Sequence, residues 1–253
     1  MNILVINGAA RPGGTTTRLA EAFMDGARAS GAETDMVMLR DRTIAPCTDC
    51  LACYDHEGDG PAPCALRDDM EELVPRIAAA DGLLFASPVH CGFVTGRMAV
   101  FWERLAWRTA RPDGPFLGAM ALRSRLNGKV RALASIVSAG GMPERLRSFC
   151  DDGTRWLKGN APLMLHGAWI GDLYAGAELE RRPESPADWR RLYHLRRLGT
   201  GQLERARALG TRMADTIRGG RLRPVTMESL VPGFLRRLLD LAPFRRGYPL
   251  ATH

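Results

Sequence analysis

Short unbroken apolar runs alternate along this chain with longer stretches in which apolar residues recur every three or four positions. The first run, residues 3–6 (Ile-Leu-Val-Ile), stops at Asn7-Gly8. A continuous run of that length marks a strand buried on both faces, as in a parallel sheet. A glycine-rich turn over residues 8–14 leads to Thr15-Thr16-Thr17, where a helix opens and runs to about Ser30 before Gly31 stops it. Residues 34–39 form the second expected strand, 82–87 (Gly-Leu-Leu-Phe-Ala-Ser) the third, 129–138 the fourth and 163–170 the fifth. Further helices are expected from Asp68-Asp69, which puts acids in the first turn, from about Thr95, over about 143–157, and over an arginine-rich stretch at about 187–218.

Strand and helix alternate, so the expected class is α/β, a doubly wound five-stranded parallel sheet. In such sheets ligands bind beyond the carboxyl ends of the strands. The glycine turn follows the first strand, a cysteine-bearing loop at 44–66 the second, Ser87-Pro88 the third and Ala139-Gly140-Gly141 the fourth. Four loops of unusual chemistry on one edge point to one composite site.

Charge divides the chain. Residues 1–180 hold 19 Lys+Arg against 22 Asp+Glu, and residues 181–253 hold 16 against 6. The overall net charge of +7 therefore belongs to the last third, and the main domain is not expected to bind nucleic acid. No apolar run reaches the length of a membrane span, and residues 2–7 are too short for a signal-peptide core. The expectation is a cytoplasmic protein without a membrane span, in which clustered cysteines stay reduced.

Cys47, Cys50, Cys53 and Cys64 follow the spacing C-x2-C-x2-C-x10-C. Three readings stay open on the residues alone. Four thiolates can converge on an iron–sulfur cluster. They can hold a structural Zn2+ tetrahedrally, although zinc ribbons usually carry two well-separated C-x2-C pairs. They can also remain free or redox-active thiols. Cys91 is expected to be a small packing residue rather than a fifth ligand, and Cys150 a core residue on a helix.

The 8–17 segment suits a phosphate. Gly8 and Gly14 let the backbone approach an anion, the helix start adds positive potential, Arg11 offers a guanidinium, and Thr15, Thr16 and Thr17 offer hydroxyls. The competing reading is an ordinary turn with a threonine cap. There is no G-x-G-x-x-G and no Walker lysine. The loop Ser87-Pro88-Val89-His90-Cys91-Gly92 leaves backbone groups free for the edge of a flat ring. His90 reads as a ring donor, a proton relay or a satisfied surface histidine. Ser138-Ala139-Gly140-Gly141 permits close backbone approach to the same ring, or is a plain turn.

Taken together these segments resemble a known family. Asn7-Gly8-Ala9-Ala10-Arg11-Pro12-Gly13-Gly14-Thr15-Thr16 resembles the N-G-S-P-R-x-x-G-N-T phosphate loop of the NADPH-dependent FMN reductases. Residues 87–98 resemble that family's S-P-V-Y-x-G flavin loop, with Ala9 replacing a serine and His90 a usual aromatic. The cysteine motif, followed by Cys64 and Asp68-Asp69, resembles the iron–sulfur flavoprotein branch. The resemblance implies a flavodoxin-like fold and a flavin-dependent oxidoreductase. It implies FMN held by Gly8, Ala9, Arg11, Gly14 and Thr15–Thr17, by Ser87–Gly92 and by Ser138–Gly141, with His90 as the candidate catalytic side chain. It further implies a [4Fe-4S] cluster on Cys47, Cys50, Cys53 and Cys64, electrons from a ferredoxin-like donor or from NAD(P)H, and a homo-oligomer, either a dimer or a dimer of dimers. A flavodoxin-like electron carrier without catalysis is the competing class.

The domain reading is one FMN-binding unit over 1–218 and a basic C-terminal helical extension over 219–253. In the extension Leu230, Val231, Phe234, Leu235, Leu238 and Leu239 fall at helical spacing, with Arg236, Arg237 and Asp240 opposite. This stripe is expected to pack on the domain or on a second subunit.

Overall fold

Parallel pairing organises the molecule, and the computed structural model describes it for residues 1–116 and 119–231. In chain order the elements are β1 (Asn2–Asn7), α1 (Thr15–Ala29), β2 (Glu33–Met38), α2 (Met70–Ala79), β3 (Gly82–Pro88), α3 (Gly96–Thr109), β4 (Ala110–Phe116), β5 (Ala119–Ser124), β6 (Arg131–Ser138), α4 (Asp152–Met164), β7 (Gly167–Ala175), β8 (Glu178–Leu179), α5 (Pro186–Arg190), β9 (Arg196–Arg197) and α6 (Thr200–Arg218). The main sheet has the order β2-β1-β3-β6-β7, all parallel. Counting only its own strands, that is 2-1-3-4-5, the flavodoxin-like doubly wound order.

Helices cover both faces, so the inner strands are apolar throughout. β6 is buried at every position, and β3 at all but its last. Alternation along β1 divides the core. Leu4 and Ile6 pack with Leu83, Phe85 and Leu133 beneath α2, α3 and α4. Ile3 and Val5 pack with Leu84, Ala134 and Ile136 beneath α1 and α6. On that second face α1 and α6 meet backbone to backbone. A Cβ on Gly210 would lie 1.9 Å from the Phe23 carbonyl oxygen, and one on Gly26 would lie 2.1 Å from that of Arg207. Thr211 Oγ1 seals the contact by donating to the Gly26 carbonyl at 3.2 Å.

Several local expectations are corrected. The helix expected over 143–157 is a 3-10 turn at Glu144–Phe149 followed by α4, because the Asp151 side chain accepts from Thr154 N at 2.9 Å and starts a new helix. Helix α4 continues through Met164, so the last main strand begins at Gly167 rather than 163. Gly167 has to lack a side chain there, since its Cβ would lie 2.5 Å from Leu133. Cys150 is buried as expected, but it follows the 3-10 turn and does not sit within an α-helix. The long helix expected over 187–218 is divided into α5, a 3-10 turn at Leu192–Leu195, β9 and α6. The antiparallel hairpin β4–β5 has no counterpart in the expectations; its first strand carries Pro112, Gly114 and Pro115, residues that weaken a strand pattern.

Among the described residues no helix is long and apolar enough to cross a membrane. Leu230 is exposed. Val231 is buried, and Phe234, Leu235, Leu238 and Leu239, the rest of the expected stripe, lie outside the described residues.

The α1–α6 contact generates a paired prediction. Gly210→Ala should cost about 1–3 kcal/mol in denaturant titration, as overpacking of a tight core does. Gly159→Ala, on an exposed turn of α4 with nothing within 4 Å of the new Cβ, should instead stabilise by about 0.5–1 kcal/mol through helix propensity. Equal effects at the two sites would mean that the helices are not held at backbone contact.

Candidate functional site

A cleft of about 250 Å³ opens at the carboxyl ends of β1, β3 and β6. It lies where the strand order reverses, the position at which doubly wound sheets leave a crevice. Its floor is the turn after β1. The Asn7 side chain shapes that turn: its Oδ1 accepts from Ala9 N at 2.9 Å and its Nδ2 donates to Thr17 Oγ1 at 3.2 Å. Thr17 Oγ1 in turn donates to the Arg11 carbonyl at 3.2 Å. Helix α1 then starts at Gly14 with no side-chain cap and no acid in its first turn. The first amides of an α-helix lack intrahelical acceptors, so those of Thr15, Thr16 and Thr17 carry the positive end of the helix dipole into the cleft.

Of the expected binding residues, Ala9, Arg11, Gly14, Thr15, Thr16, Pro88, Val89, His90, Ser138 and Gly140 line this cleft. Thr16 Oγ1 and Ser138 Oγ hydrogen-bond at 2.7 Å, tying the first loop to the end of β6. The others stand behind or beside it. The Gly8 amide donates to the Ala86 carbonyl, and a Cβ at Gly8 would meet Thr95 Oγ1 at 2.7 Å. Ser87 is buried and its Oγ accepts from Thr95 N at 3.0 Å. Ala139 N donates to the Ala175 carbonyl, and Gly141 lies near Leu192. Cys91 and Gly92, at φ +51° and +79°, form the tip of the turn that pairs His90 with Phe93. Cys91 is exposed there, which corrects its expected packing role.

Two further lining residues come from a segment that the sequence reading absorbed into a long helix. The Tyr193 ring lies against Gly140, where a Cβ would be 2.2 Å from Cε1. Arg196 carries a guanidinium whose Nε and Nη2 are buried with no hydrogen-bond partner. Burial, and then the field of Arg11, push its pKa down. The lining thus contains two arginines and no carboxylate. The dense arginines at 190–197 were the available signal, but spacing alone could not say which of them faces inward.

The second element is the cysteine loop between β2 and α2. It has no regular structure and is stitched down by arginines. Arg104 Nη1 donates to the Ala45 carbonyl at 2.8 Å and pairs with Asp68 at 2.6 Å, the two side chains only 1% and 7% exposed. Arg104 Nη2 reaches Cys64 Sγ at 3.3 Å. Arg108 Nε donates to the Ala62 carbonyl, Arg125 to those of Cys53 and Gly58, and Arg111 to that of Glu57. Cys47 N donates to Glu103 Oε2 at 3.0 Å. Arg104 and Arg108 were legible only as an odd i,i+4 pair beside the apolar face of α3.

The thiols interact. Cys47 and Cys50 are exposed, and Cys53 and Cys64 half-buried. Left-handed Asp49 and Leu51 turn the chain between them, and Asp49 N donates to Cys47 Sγ at 3.4 Å. The amide of Ala52 is the main influence holding the Cys50 thiol below its ordinary pKa. Burial, then the fields of Cys64, Cys47 and Cys50, push Cys53 up. Sulfur receiving amide and guanidinium hydrogen bonds is the chemistry that a thiolate-ligated group needs. Among the described residues, however, no three His, Cys, Asp or Glu side chains stand close enough together to hold one metal ion.

A family model described as NADPH-dependent FMN reductase matches residues 1–154. An iron–sulfur flavoprotein of Methanocaldococcus jannaschii is 30% identical over 135 residues, covering 53% of this chain and 63% of the relative. One of Methanosarcina thermophila is 33% identical over 104 residues, covering 41% of this chain and 52% of the relative. The chain thus spans about half to two thirds of the length of these relatives. Among solved structures, an NAD(P)H:quinone oxidoreductase from Methanothermobacter marburgensis superposes with a TM-score of 0.58 at 16% identity, covering 83% of this chain and 94% of that one. That last likeness is one of fold.

The buried Arg104–Asp68 pair yields a prediction. Burial opposes ionisation of Asp68, but Arg104 and the amides of Ala45 and Met70 outweigh it and hold its pKa below the usual carboxylate value. A carboxyl that ionises more readily when folded contributes its stability above the unfolded pKa of about 3.9 and loses it as pH falls through the lowered one. Arg104→Met should therefore cost about 3–5 kcal/mol at pH 7, because it strands a buried carboxylate. The deficit should shrink at about pH 3, and Cys64 should react faster with maleimide. An unchanged denaturation midpoint and labelling rate would show that the pair does not hold the loop.

Proposed function

The chain belongs to the NADPH-dependent FMN reductase family, and from that premise we propose that it is an FMN-dependent oxidoreductase passing electrons between a cysteine-held [4Fe-4S] cluster and FMN. One observation carries the flavin half: the cleft at the strand-order reversal joins an uncapped helix N-terminus, two arginines and no carboxylate. A phosphate monoester fits that surface. In this reading Arg11, Thr15 and Thr16 grip the phosphate, while Asn7, Thr17 and Ser87 keep their loops in shape. The backbone of Pro88, Val89 and His90 borders the flavin ring, with Gly140 and Tyr193 on the other side. His90, at the rim, is placed to donate to the ring edge or to relay a proton. Bound FMN supplies one- and two-electron redox chemistry at its ring, and the protein supplies orientation and exclusion of water.

For the cluster, support comes from the four-cysteine spacing and from the amide and arginine hydrogen bonds to Cys47 and Cys64. Two relatives named iron–sulfur flavoprotein add to it. Cys47, Cys50, Cys53 and Cys64 would hold the group, and a ferredoxin-like protein would be the electron donor. The absence of three converging ligands among the described residues favours a second reading, a cluster-free reductase taking hydride from NAD(P)H. We assign residues 1–218 to the flavin unit and 219–253 to an extension. Exposed Phe149, Trp189 and Tyr193, on segments that follow β6 and β7, support a second subunit over this region.

Anaerobically purified protein should release FMN and not FAD, and should carry about four irons per chain. Arg11→Ala should weaken FMN binding by about 1.5–3 kcal/mol, the range for a charged hydrogen bond. Serine at any of the four loop cysteines should lower iron content, whereas Cys91→Ser and Cys150→Ser should leave it intact. Iron-free protein that is reduced by NAD(P)H would sink the cluster half and favour the second reading. Protein that binds no flavin would sink the whole proposal.

A further inference from the structure

The connection from β7 to α6, residues 176–199, lies wholly beyond the family-matched part of the chain. It is braced internally. β8 and β9 pair antiparallel with Leu179 opposite Arg196 and Glu178 opposite Arg197, and Glu180 N donates to the Leu195 carbonyl at 2.9 Å. The Ser185 hydroxyl caps α5 by accepting from Asp188 N at 3.1 Å, and Arg181 pairs with Asp188 at 2.8 Å. Gly199 closes the ribbon against Glu178, whose carboxylate oxygen would lie 2.1 Å from a Cβ there. The side chain this ribbon delivers to the cleft is Arg196.

Arg196 differs from the structural arginines of the same molecule: even Arg104, which leaves its Nε unmet, pairs both of its Nη groups. Arg131, which is more deeply buried, donates to five backbone carbonyls. Arg108 and Arg125 likewise end on carbonyls. Arg196 has two buried donors and no acceptor for them. The titratable groups acting on it are Arg11, Tyr174 and Tyr193, none of them a carboxylate. A guanidinium buried without a partner is costly, and holding it beside a second arginine adds repulsion. Such an arrangement is stable when an anion supplies the missing acceptors, and a planar guanidinium matches phosphate with two parallel N–H bonds.

We propose that Arg196 is a phosphate-clamping residue which, with Arg11 and the start of α1, makes the cleft select a phosphate monoester over its dephosphorylated form. This rests on the flavin reading for the identity of the ligand, though not for its charge. The clamp comes from beyond β7, so phosphate binding also pins the β8–β9 ribbon and holds Tyr193 where it already lies, against Gly140.

The test compares FMN with riboflavin, which lacks the phosphate, by calorimetric titration of flavin-free protein. Arg196→Gln should weaken FMN about 10- to 100-fold, as loss of a charged hydrogen bond does, and leave riboflavin within about twofold. Arg197→Gln, the outward neighbour paired with Glu178, should leave both unchanged. Undiminished FMN affinity in Arg196→Gln, equal weakening of riboflavin, or the same loss in Arg197→Gln would overturn the clamp. Thermal melting with inorganic phosphate separates the two proposals. If the unaltered protein takes up no flavin, yet phosphate raises its melting temperature and not that of Arg196→Gln, the clamp stands and the flavin reading falls. If phosphate fails to distinguish the two proteins, the clamp falls even where FMN binds.

Discussion

β1 pairs in parallel with β2 on one side and β3 on the other, and the site depends on that single arrangement. The chain leaves β1 for α1 on one face of the sheet and reaches β3 after crossing to the opposite face. Nothing can close the sheet's carboxyl edge between those two exits, so a crevice remains. The start of α1 opens into it because the turn from Gly8 to Gly14 is short and held by Asn7. An uncapped helix start that would be a defect elsewhere is here a source of positive potential.

Arginine carries the second layer of organisation, in two opposite ways. Arg104, Arg108, Arg111 and Arg125 hold a long loop without secondary structure by donating to its carbonyls. A loop of this kind exposes backbone acceptors that have no strand or helix to meet, and guanidinium groups on α3 and the β4–β5 hairpin satisfy them. The hairpin is therefore tied structurally to the cysteine loop, although it is a separate two-stranded sheet. Arg196 inverts the pattern, with its Nε and Nη2 buried and unmet. Among the described residues, the contrast separates arginines whose Nη groups end on the protein's own acceptors from Arg196, whose Nε and Nη2 are buried and unmet.

The two layers sit on one rigid frame. Backbone contact between α1 and α6 through Gly26 and Gly210 fixes the helix whose first turn enters the cleft. Arg40 Nη1 donates to the Ala10 carbonyl at 3.0 Å, which links the glycine turn to the segment that leads into the cysteine loop. The thiol loop and the cleft therefore share a support.

Elements set by nearby residues were legible without coordinates. The apolar runs of β1, β3 and β6 declare burial on both faces, and the glycine turn, Ser87-Pro88 and the cysteine spacing declare their loops, because each pattern is complete within a few neighbours. Boundaries failed where a polar side chain restarts a helix, as Asp151 does, or where prolines mask a strand, as at Pro112 and Pro115. The division of labour among the site residues was beyond local reading. Thr17 and Ser87 look like binding residues in sequence and act as braces because Asn7 and Thr95 reach them across the fold. Arg196 looks like one arginine among many. Only the folding of the β7–α6 connection back over the first loop brings it beside Arg11, where burial removes water and no carbonyl or carboxylate takes its place.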